Sequence, residues 1–225
     1  MKKFKKNFSI FNPIYIETKS LYESLVSVSN KISGLTLDVG CGEKPYEDIF
    51  LKSKKYVGID HIKSKNYSKN KADIYFDGKK IPFNSKTFDS VVCTQVLEHV
   101  ENVDLLVSEI NRVLKKNGIF LISVPFFWEE HESPYDFRRF SKFGITNFLK
   151  SKGFSIIYYK KSTNSILTIL QMNNNLLNSK ISKFFLFNLF LKSMIFFNNL
   201  LAVLFWNFKD NNLFYINNVV IAKKK

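Results

Sequence analysis

Leu37-Asp38-Val39-Gly40-Cys41-Gly42 ends a short apolar run with an acidic residue and a glycine turn. An apolar run of this length is typical of a strand that is buried on both faces of a parallel sheet. Ligands of such sheets bind at the carboxyl ends of the strands, where glycines let the backbone come close and the following segment offers unpaired N–H groups. We therefore expect a parallel sheet that holds a nucleotide-like ligand at this turn.

Working outward from the turn, apolar runs alternate with a helical pattern. The segment 102–116 has apolar residues at i, i+3, i+4 and i+7, which predicts a helix that ends at Asn117-Gly118. This alternation favours an α/β fold, a doubly wound and mostly parallel sheet. The predicted strands are 35–39, 56–59, 90–94, 119–124, 154–159 and 214–222, and a further helix is predicted at 141–152.

The composition limits the domain count and the compartment. A chain of 225 residues with 45% hydrophobic residues forms one sizeable domain with an appendage. Cys41 and Cys93 belong to no CxxC pair and have no adjacent histidine, so we expect no metal site and no dithiol. The interrupted apolar stretch at the N-terminus predicts no export signal, and a reducing cytoplasm fits best.

The net charge is strongly positive, but the charge alone does not identify a binding partner. The 34 Lys and Arg residues exceed the 19 Asp and Glu residues by 15. Such a field attracts nucleic acid or an anionic membrane surface. The abundance of Lys beside Asn, Ile and Phe is also typical of AT-biased coding sequence, and we favour that interpretation.

Asp60 closes the second predicted strand and is placed to accept hydrogen bonds from ribose hydroxyls. A dinucleotide fingerprint would need a small residue at position 45, where this chain has Pro45. A diphosphate also disfavours nearby carboxylates, and Asp38 and Glu43 flank the turn. The pattern therefore favours a cationic ligand, such as the sulfonium and amino group of S-adenosylmethionine, over NAD.

These residues and several further segments resemble class I S-adenosylmethionine-dependent methyltransferases over about residues 35–155. The resemblance implies a Rossmann-like seven-stranded sheet and S-adenosyl-L-methionine as cofactor. Together with the pattern of the remaining chain, it predicts a helical segment at 1–34, the core at 35–162, a hydrophobic helical insertion at 163–212, and a final strand and basic tail at 213–225. The matching segments are DVGCG at 38–42, PY at 45–46, DGKKIPF at 77–83, LEHV at 97–100, and HESPYDFRR at 131–139.

The resemblance implies how the first two strand ends would hold the cofactor. Asp38, Gly40 and Gly42 would line its methionine part, with Asp38 reaching the amino group through water. Asp60 would hold the ribose. Each aspartate also has a purely structural alternative as a helix cap or turn residue.

The resemblance also implies contacts with the rest of the cofactor. Asp77 would accept from the adenine amino group, with Gly78 beside the ring, and Asp73 is an alternative to Asp77. Thr94 and Gln95, at the end of the fourth predicted strand, would lie over the sulfonium.

A hydroxyl acceptor has to lose a proton, and histidine is the natural base near neutral pH. His131 comes after the fifth predicted strand in a segment rich in aromatic and charged residues, and is our candidate base or acceptor-orienting group. His99 is a second candidate, with a helix-capping role as its alternative. His61, beside Asp60, is interpreted as a surface residue.

The residues at the end of the fourth strand narrow the acceptor class. Thr94-Gln95-Val96 lacks the Asn- or Asp-Pro-Pro-aromatic tetrad that holds a flipped base, which disfavours DNA amino methylation. We predict O-methylation of a small or lipid-linked acceptor, such as a glycan or a quinone-like metabolite. Two alternatives stay open, an RNA methyltransferase and a catalytically silent partner protein at a membrane.

The phenylalanine-rich segment 184–208 is long enough to suggest a membrane span. Lys192 and several Asn residues interrupt it, and a central charge disfavours insertion. An amphipathic helix flanked by Lys180, Lys183 and Lys209 predicts peripheral contact with the inner face of the membrane. Packing on the protein's own core and a homodimer surface are the alternatives.

Overall fold

A computed structural model describes residues 8–64, 71–181 and 184–225. Its seven strands form one sheet in the order β3-β2-β1-β4-β5-β7-β6. The strands are β1 (Ser33–Val39), β2 (Lys52–His61), β3 (Ile74–Phe76), β4 (Phe88–Thr94), β5 (Leu114–Pro125), β6 (Phe154–Lys161) and β7 (Asn217–Lys224). The helices are α1 (Tyr15–Val28), α2 (Val103–Val113), α3 (Lys142–Ser151), α4 (Ser165–Ser179) and α5 (Phe185–Leu204).

β1 lies between β2 and β4 and is parallel to both. Its register pairs Asp38 with Gly58 on one side and with Val92 on the other. β3 and β5 are also parallel to their neighbours β2 and β4. The carboxyl ends of these five strands therefore meet at one edge of the sheet.

The predicted seven-stranded, doubly wound fold is confirmed, and so is a helical segment before the last strand. The predicted end of α2 was wrong, because the helix stops at Val113 rather than near 116. Leu114 already has extended backbone and pairs with Phe88 on β4, so sheet pairing takes over there. The short strand β3 and the separate helix α4 were not predicted.

The chain divides into two compact units, and the larger comprises Leu25–Pro125, Glu130–Lys160 and Asn218–Lys225. Its core contains apolar side chains of the sheet, such as Leu37, Val91 and Ile122, which lie on one face. The inward face of α2 completes it with Leu106, Val107 and Ile110.

The smaller unit comprises Met1–Ser24, Phe126–Glu129 and Lys161–Asn217. Its described part contains α4 and α5, and a small apolar cluster forms around Tyr15, Ile16, Leu167 and Ala202. The side chain of Gln171 donates to the carbonyl of Pro13 and accepts from the backbone N–H of Glu17. Helix α4 is thereby fastened to the start of α1.

Candidate cofactor and acceptor site

The glycine turn after β1 is tightly held against its neighbours. The backbone N–H groups of Gly40 and Cys41 both donate to the carbonyl of Ile59, at 2.9 and 3.1 Å. Gly40 has a φ of +71°, and a Cβ added there would lie 2.4 Å from Cγ2 of Val96. Both the left-handed backbone and the lack of space therefore require glycine at position 40.

Gly42 differs, because a Cβ added there would meet nothing within 4 Å. Its N–H donates to Oδ2 of Asp60 at 3.0 Å. The other oxygen of Asp60 accepts from the N–H of His61 at 2.6 Å. The structure thus fixes the carboxylate of Asp60 beside a glycine whose outer face is open to a ligand.

Asp38 is buried at the end of β1, with a relative exposure of 4%. Its Oδ2 accepts a 2.7 Å hydrogen bond from the hydroxyl of Tyr56. None of the residues that the structure describes donates to Oδ1. Burial raises the pKa of Asp38 to about 7, against the opposing effect of the Tyr56 hydrogen bond. An unpaired buried carboxylate oxygen is costly, and a bound cationic group would offset that cost.

His99 and His131 come together although they are far apart in sequence. Their rings meet edge to face with centroids 4.7 Å apart. Nδ1 of His99 lies 2.8 Å from the carbonyl oxygen of Tyr135. Nδ1 of His131 lies 3.3 Å from Oδ2 of Asp136 and 3.5 Å from Nη2 of Arg139. His61, in contrast, ends β2, and its Nδ1 accepts from the N–H of Lys63.

The family model described as a methyltransferase domain matches residues 37–122. An uncharacterized protein of Methanocaldococcus jannaschii is 30% identical over 164 residues, which cover 71% of this chain and 72% of that protein. A ubiquinone biosynthesis O-methyltransferase of Rickettsia prowazekii is 33% identical over 52% of this chain and 50% of its own length. This chain therefore spans about half of that relative.

Among solved structures, a phosphoethanolamine N-methyltransferase 2 of Haemonchus contortus in complex with S-adenosyl-L-methionine superposes with a TM-score of 0.56. It is 17% identical, and the match covers 99% of this chain and 58% of that chain, so the likeness concerns the fold.

The chain belongs to the class I S-adenosylmethionine-dependent methyltransferases. It is an enzyme whose cofactor is S-adenosylmethionine.

The residues at the strand ends fit that cofactor. Asp38 offers an unpaired buried oxygen to a cation, Gly42 offers open space, and Asp60 is already oriented. Which atoms of the cofactor each residue contacts stays a prediction. Tyr56, which positions Asp38, was missed from the sequence because nothing in a strand pattern distinguishes it from a core tyrosine.

The lysine that follows the glycine turn, Lys44, forms an ion pair with Asp73. Nζ of Lys44 lies 2.6 Å from Oδ2 of Asp73, which also accepts from the N–H of Gly58 at 2.7 Å. A Cβ at Gly58 would come within 2.5 Å of the lysine side chain. Asp73 therefore ties the turn to β2, a structural role that differs from the adenine contact considered for it.

Asp77 and Gly78 lie just after β3. Asp77 is exposed, and its Oδ1 accepts from the N–H of Lys79 at 2.9 Å, as in a turn. That backbone hydrogen bond lowers the pKa of the Asp77 carboxyl. Gly78 has a φ of +78° and faces the ring of His61. An exposed carboxylate can still accept from an adenine amino group, and this role stays a prediction.

Thr94 ends β4, and Gln95 comes next with a φ of +55°. The backbone N–H of Gln95 donates to the carbonyl of Ser123 at 3.0 Å, and its side-chain amide donates to Oγ of the same residue. Gln95 is therefore anchored to β5. Its predicted position over the sulfonium is untested.

The segment after β5 is fixed by its arginines. Arg139 binds both oxygens of Asp136, and this charge-assisted pairing lowers the pKa of that carboxyl. Arg138 donates to the backbone carbonyls of Leu97, Val100 and Glu101. This segment is thereby held on the turn that carries His99.

Glu98, like Tyr56, is a residue that the sequence analysis missed. Its side chain is fully buried between His99 and the segment after β5, and neither Oε1 nor Oε2 has a hydrogen-bond partner among the described residues. Burial raises the pKa of Glu98 to about 8. The LEHV motif contained the signal, but a glutamate beside a histidine there also fits an ordinary helix start.

Proposed function

We propose that this methyltransferase transfers the methyl group to a hydroxyl oxygen of a small or lipid-linked acceptor, a glycan or a quinone-like metabolite. The observation that carries the proposal is the pair of imidazoles, His99 and His131, placed in the loops after β4 and β5. The relatives named as ubiquinone biosynthesis O-methyltransferases support oxygen as the acceptor atom.

When bound, S-adenosylmethionine supplies a methyl group on a sulfonium. Asp38 would hold the cationic amino group, Asp60 the ribose, and Gly42 would allow close approach of the backbone. Asp77 and Gly78 would bound the adenine, and Thr94 and Gln95 the sulfonium. These side chains and the loops that carry them would exclude water and align the acceptor, which supplies much of the rate enhancement of a displacement.

The acceptor hydroxyl has to lose its proton as the new bond forms. His131 would remove that proton or orient the acceptor, and His99 would support it from the opposite side. Neutral imidazole is suited to this task because its unperturbed pKa is about 6.5.

A labelled-methyl assay with a panel of acceptors tests the proposal. The panel contains a prenylated catechol, a lipid-linked sugar and unmodified transfer RNA, and the readout is the labelled product together with S-adenosylhomocysteine formed. We expect transfer to a hydroxyl compound. Transfer to the RNA alone would establish the RNA methyltransferase alternative, and cofactor binding without any turnover would favour the silent partner.

His131→Ala separates binding from turnover. We expect S-adenosylhomocysteine to bind as in the wild type, whereas turnover falls by about 10² to 10⁴. Phe143→Ala, at an exposed aromatic side chain of α3, is the control for a ring deletion outside the proposed site. Normal turnover by the His131 variant would contradict its role.

We further propose that this enzyme works at the cytoplasmic face of an anionic membrane, which α5 contacts. α5 is long and apolar enough to cross a membrane by length and composition, but only 22% of its apolar window is buried. Exposed apolar side chains cover it, including Phe185, Leu186, Phe190, Phe197 and Leu204.

Positive charge around α5 supports a membrane surface rather than a second copy of the chain. Lys192 belongs to α5, and Lys180 and Lys209 flank the helix in sequence; all three are exposed, and Lys183 lies outside the described residues. Apolar area beside lysines binds anionic bilayers through both effects together.

Flotation with liposomes tests this contact. Full-length protein should float with phosphatidylglycerol-containing vesicles and much less with neutral ones, and Phe190→Ser with Phe197→Ser should abolish flotation without unfolding. A protein that stays at the bottom of the gradient, and dimerises in light scattering, would identify the apolar surface as a homodimer interface instead.

A further inference from the structure

Tyr56 of β2 lies beside Asp38 of β1, and both belong to the larger unit. Asp38 pairs with Gly58 across the two strands. Tyr56 and Asp60 flank that glycine on one face of β2, because side chains two residues apart on a strand share a face. The hydroxyl of Tyr56 donates to Oδ2 of Asp38 at 2.7 Å. One oxygen of the buried carboxyl group therefore already has a partner within the protein.

The ring of Tyr56 is itself held in place. It stacks on the ring of Phe50, with the centroids 6.0 Å apart and the planes 13° from parallel, and Phe50 is buried. Burial and the nearby carboxyl of Asp38 raise the pKa of the Tyr56 hydroxyl well above its ordinary value of 10. Tyr56 is therefore a fixed hydrogen-bond donor that keeps its proton at physiological pH.

The second oxygen of Asp38 is the one that remains for a ligand. Oδ1 is buried, and none of the residues in the described part of the chain donates to it. Because Oδ2 accepts from Tyr56, a proton or a cation that binds to Asp38 is directed to Oδ1. The proton and the cation therefore compete for one atom.

Resting on the contact between Asp38 and the cofactor's amino group in the function proposed above, we propose that Tyr56 is a positioning residue for the amino-acid part of the cofactor. Its hydroxyl holds Oδ2, so that the carboxylate does not rotate and Oδ1 accepts the cationic amino group. A hydrogen bond of this kind also favours the charged form of the carboxyl, which is the form that attracts a cation. Tyr56 would thus act on the amino-acid part and leave the ribose and adenine contacts unchanged.

Other ionisable groups also surround Asp38. They lie on β2, on β4 and in the segment that begins at the glycine turn, and they are Asp60, Cys93, Cys41, Lys44 and Glu47. The two thiols are uncharged, because burial raises their pKa values. The two carboxylates raise the pKa of Asp38 and the lysine lowers it, but the hydrogen bond from Tyr56 lowers it more than the lysine does. Tyr56 is therefore the neighbour whose removal should change the charge of Asp38 most.

Tyr56→Phe removes the hydroxyl and keeps the ring. Its effect is measured by calorimetry with S-adenosylhomocysteine, which carries the amino group, and with 5′-methylthioadenosine, which lacks the amino-acid part. At pH 7 we expect the dissociation constant of S-adenosylhomocysteine to rise about tenfold, as for the loss of one hydrogen bond to a charged group. The dissociation constant of 5′-methylthioadenosine should change by less than about twofold, which also shows that the variant is folded.

Tyr159→Phe is the matched control. It removes a tyrosine hydroxyl that donates to Oδ1 of Asn218 at 2.8 Å, on the strand β6 at the far edge of the sheet from β2 and β3. This variant should bind both ligands like the wild type.

The pH dependence gives a readout that a purely structural role would not change. Without the Tyr56 hydroxyl the pKa of Asp38 rises further, so the pH below which the affinity for S-adenosylhomocysteine falls should move upward from about 7. Titrations from pH 5.5 to 8.5 compare the two proteins. In the Asp38→Asn background, Tyr56→Phe should change the dissociation constant by less than about twofold, because the charged acceptor is absent.

Three results would overturn the proposal: equal weakening for both ligands, an unshifted pH profile in Tyr56→Phe, or an equal loss in Tyr159→Phe. If Asp38→Asn binds S-adenosylhomocysteine weakly while Tyr56→Phe binds it normally, the role of Tyr56 fails and the proposed contact of Asp38 stands. If Asp38→Asn binds like the wild type, the contact fails and the role of Tyr56 with it. None of these measurements needs a methyl acceptor, so their outcome is independent of the proposed O-methylation.

Discussion

Asp38 illustrates how the fold changes the ionisation of a carboxyl group. Burial raises the pKa of its carboxyl, and the nearby carboxylates of Asp60 and Glu47 raise it further, whereas the Tyr56 hydrogen bond and Lys44 lower it. The folded protein therefore favours protonated Asp38 up to about pH 7, well above the ordinary value of 3.8. A cationic ligand reverses this preference because it interacts with the charged form.

This linkage predicts that cofactor affinity depends on pH. With the contact proposed above, Asp38 would have to release its proton below about pH 7 when the amino group of the cofactor binds. The dissociation constant of S-adenosylhomocysteine should therefore rise by up to tenfold for each pH unit below 7. Calorimetry from pH 5.5 to 8 measures it. Asp38→Asn should bind more weakly and lose most of this dependence, and an unchanged slope in that variant would exclude Asp38 as the group responsible.

The raised pKa of Asp38 also affects the stability of the protein without ligand. There, a lower pH is favourable, whereas it weakens cofactor binding. The folded state binds the Asp38 proton more tightly than the unfolded state does. The stabilisation is therefore complete below about pH 3.8 and is lost as the pH rises through about 7. Denaturant unfolding should show a smaller loss of stability between pH 5 and 8 in Asp38→Asn than in the wild type. Equal losses of stability in the two proteins would show that a group other than Asp38 causes the pH dependence.

Gly40 and Val96 form a testable pair at the glycine turn. Gly40→Ala should destabilise the fold by about 2 to 4 kcal/mol, from left-handed backbone strain and from the 2.4 Å approach to Val96. Adding Val96→Ala should recover the steric part and leave about 1 to 2 kcal/mol of backbone strain. Chemical denaturation of the four proteins measures this. Fully additive effects would contradict the contact.

At the scale of elements, α5 buries Asn199 together with Leu191, Ile195 and Ala202, and it exposes many of its other apolar side chains. Asn199 is fully buried and donates to the carbonyls of Ile10 and Asn12, while its own side-chain oxygen accepts from Asn174. Phe197 is 62% exposed. Helical periodicity predicted an amphipathic helix, but it could not say which of its residues the rest of the chain would cover.

The buried Asn199 and the exposed Phe197 predict an unusual mutational pattern. Asn199→Leu should destabilise the protein by about 2 to 4 kcal/mol, because it leaves two backbone carbonyls and an amide without partners. Phe197→Ser should change stability by less than about 0.5 kcal/mol. Thermal and denaturant unfolding compare the two. A larger loss for Phe197→Ser would show that α5 is turned the other way.

The elements found from the sequence are those whose own pattern is strong. The buried runs around β1, β4 and β5 and the stripe of α2 were sufficient for the doubly wound sheet. The end of α2 was missed because Leu114 pairs with Phe88, a long-range contact that local periodicity does not contain. β3 was missed because three residues give too little pattern.

For the whole molecule, the sequence placed the glycine turn and its aspartates, but it could not locate groups that meet only in the folded chain. The pairing of His99 with His131, and the buried Glu98 beside them, depend on how Arg138 fastens the segment after β5 to the turn after β4. Asp73 was weighed as an adenine ligand, whereas folding gives it Lys44 and Gly58 as partners.

The central claim is that the ends of β1 and β2 hold S-adenosylmethionine through Asp38 and Asp60. Titration calorimetry with S-adenosylhomocysteine, with NAD as the comparison ligand, tests it most directly. We expect one S-adenosylhomocysteine per chain, a loss of affinity of at least a hundredfold in Asp60→Ala, and no heat with NAD. Binding of NAD instead, or equal affinity in the Asp60 variant, would contradict the claim.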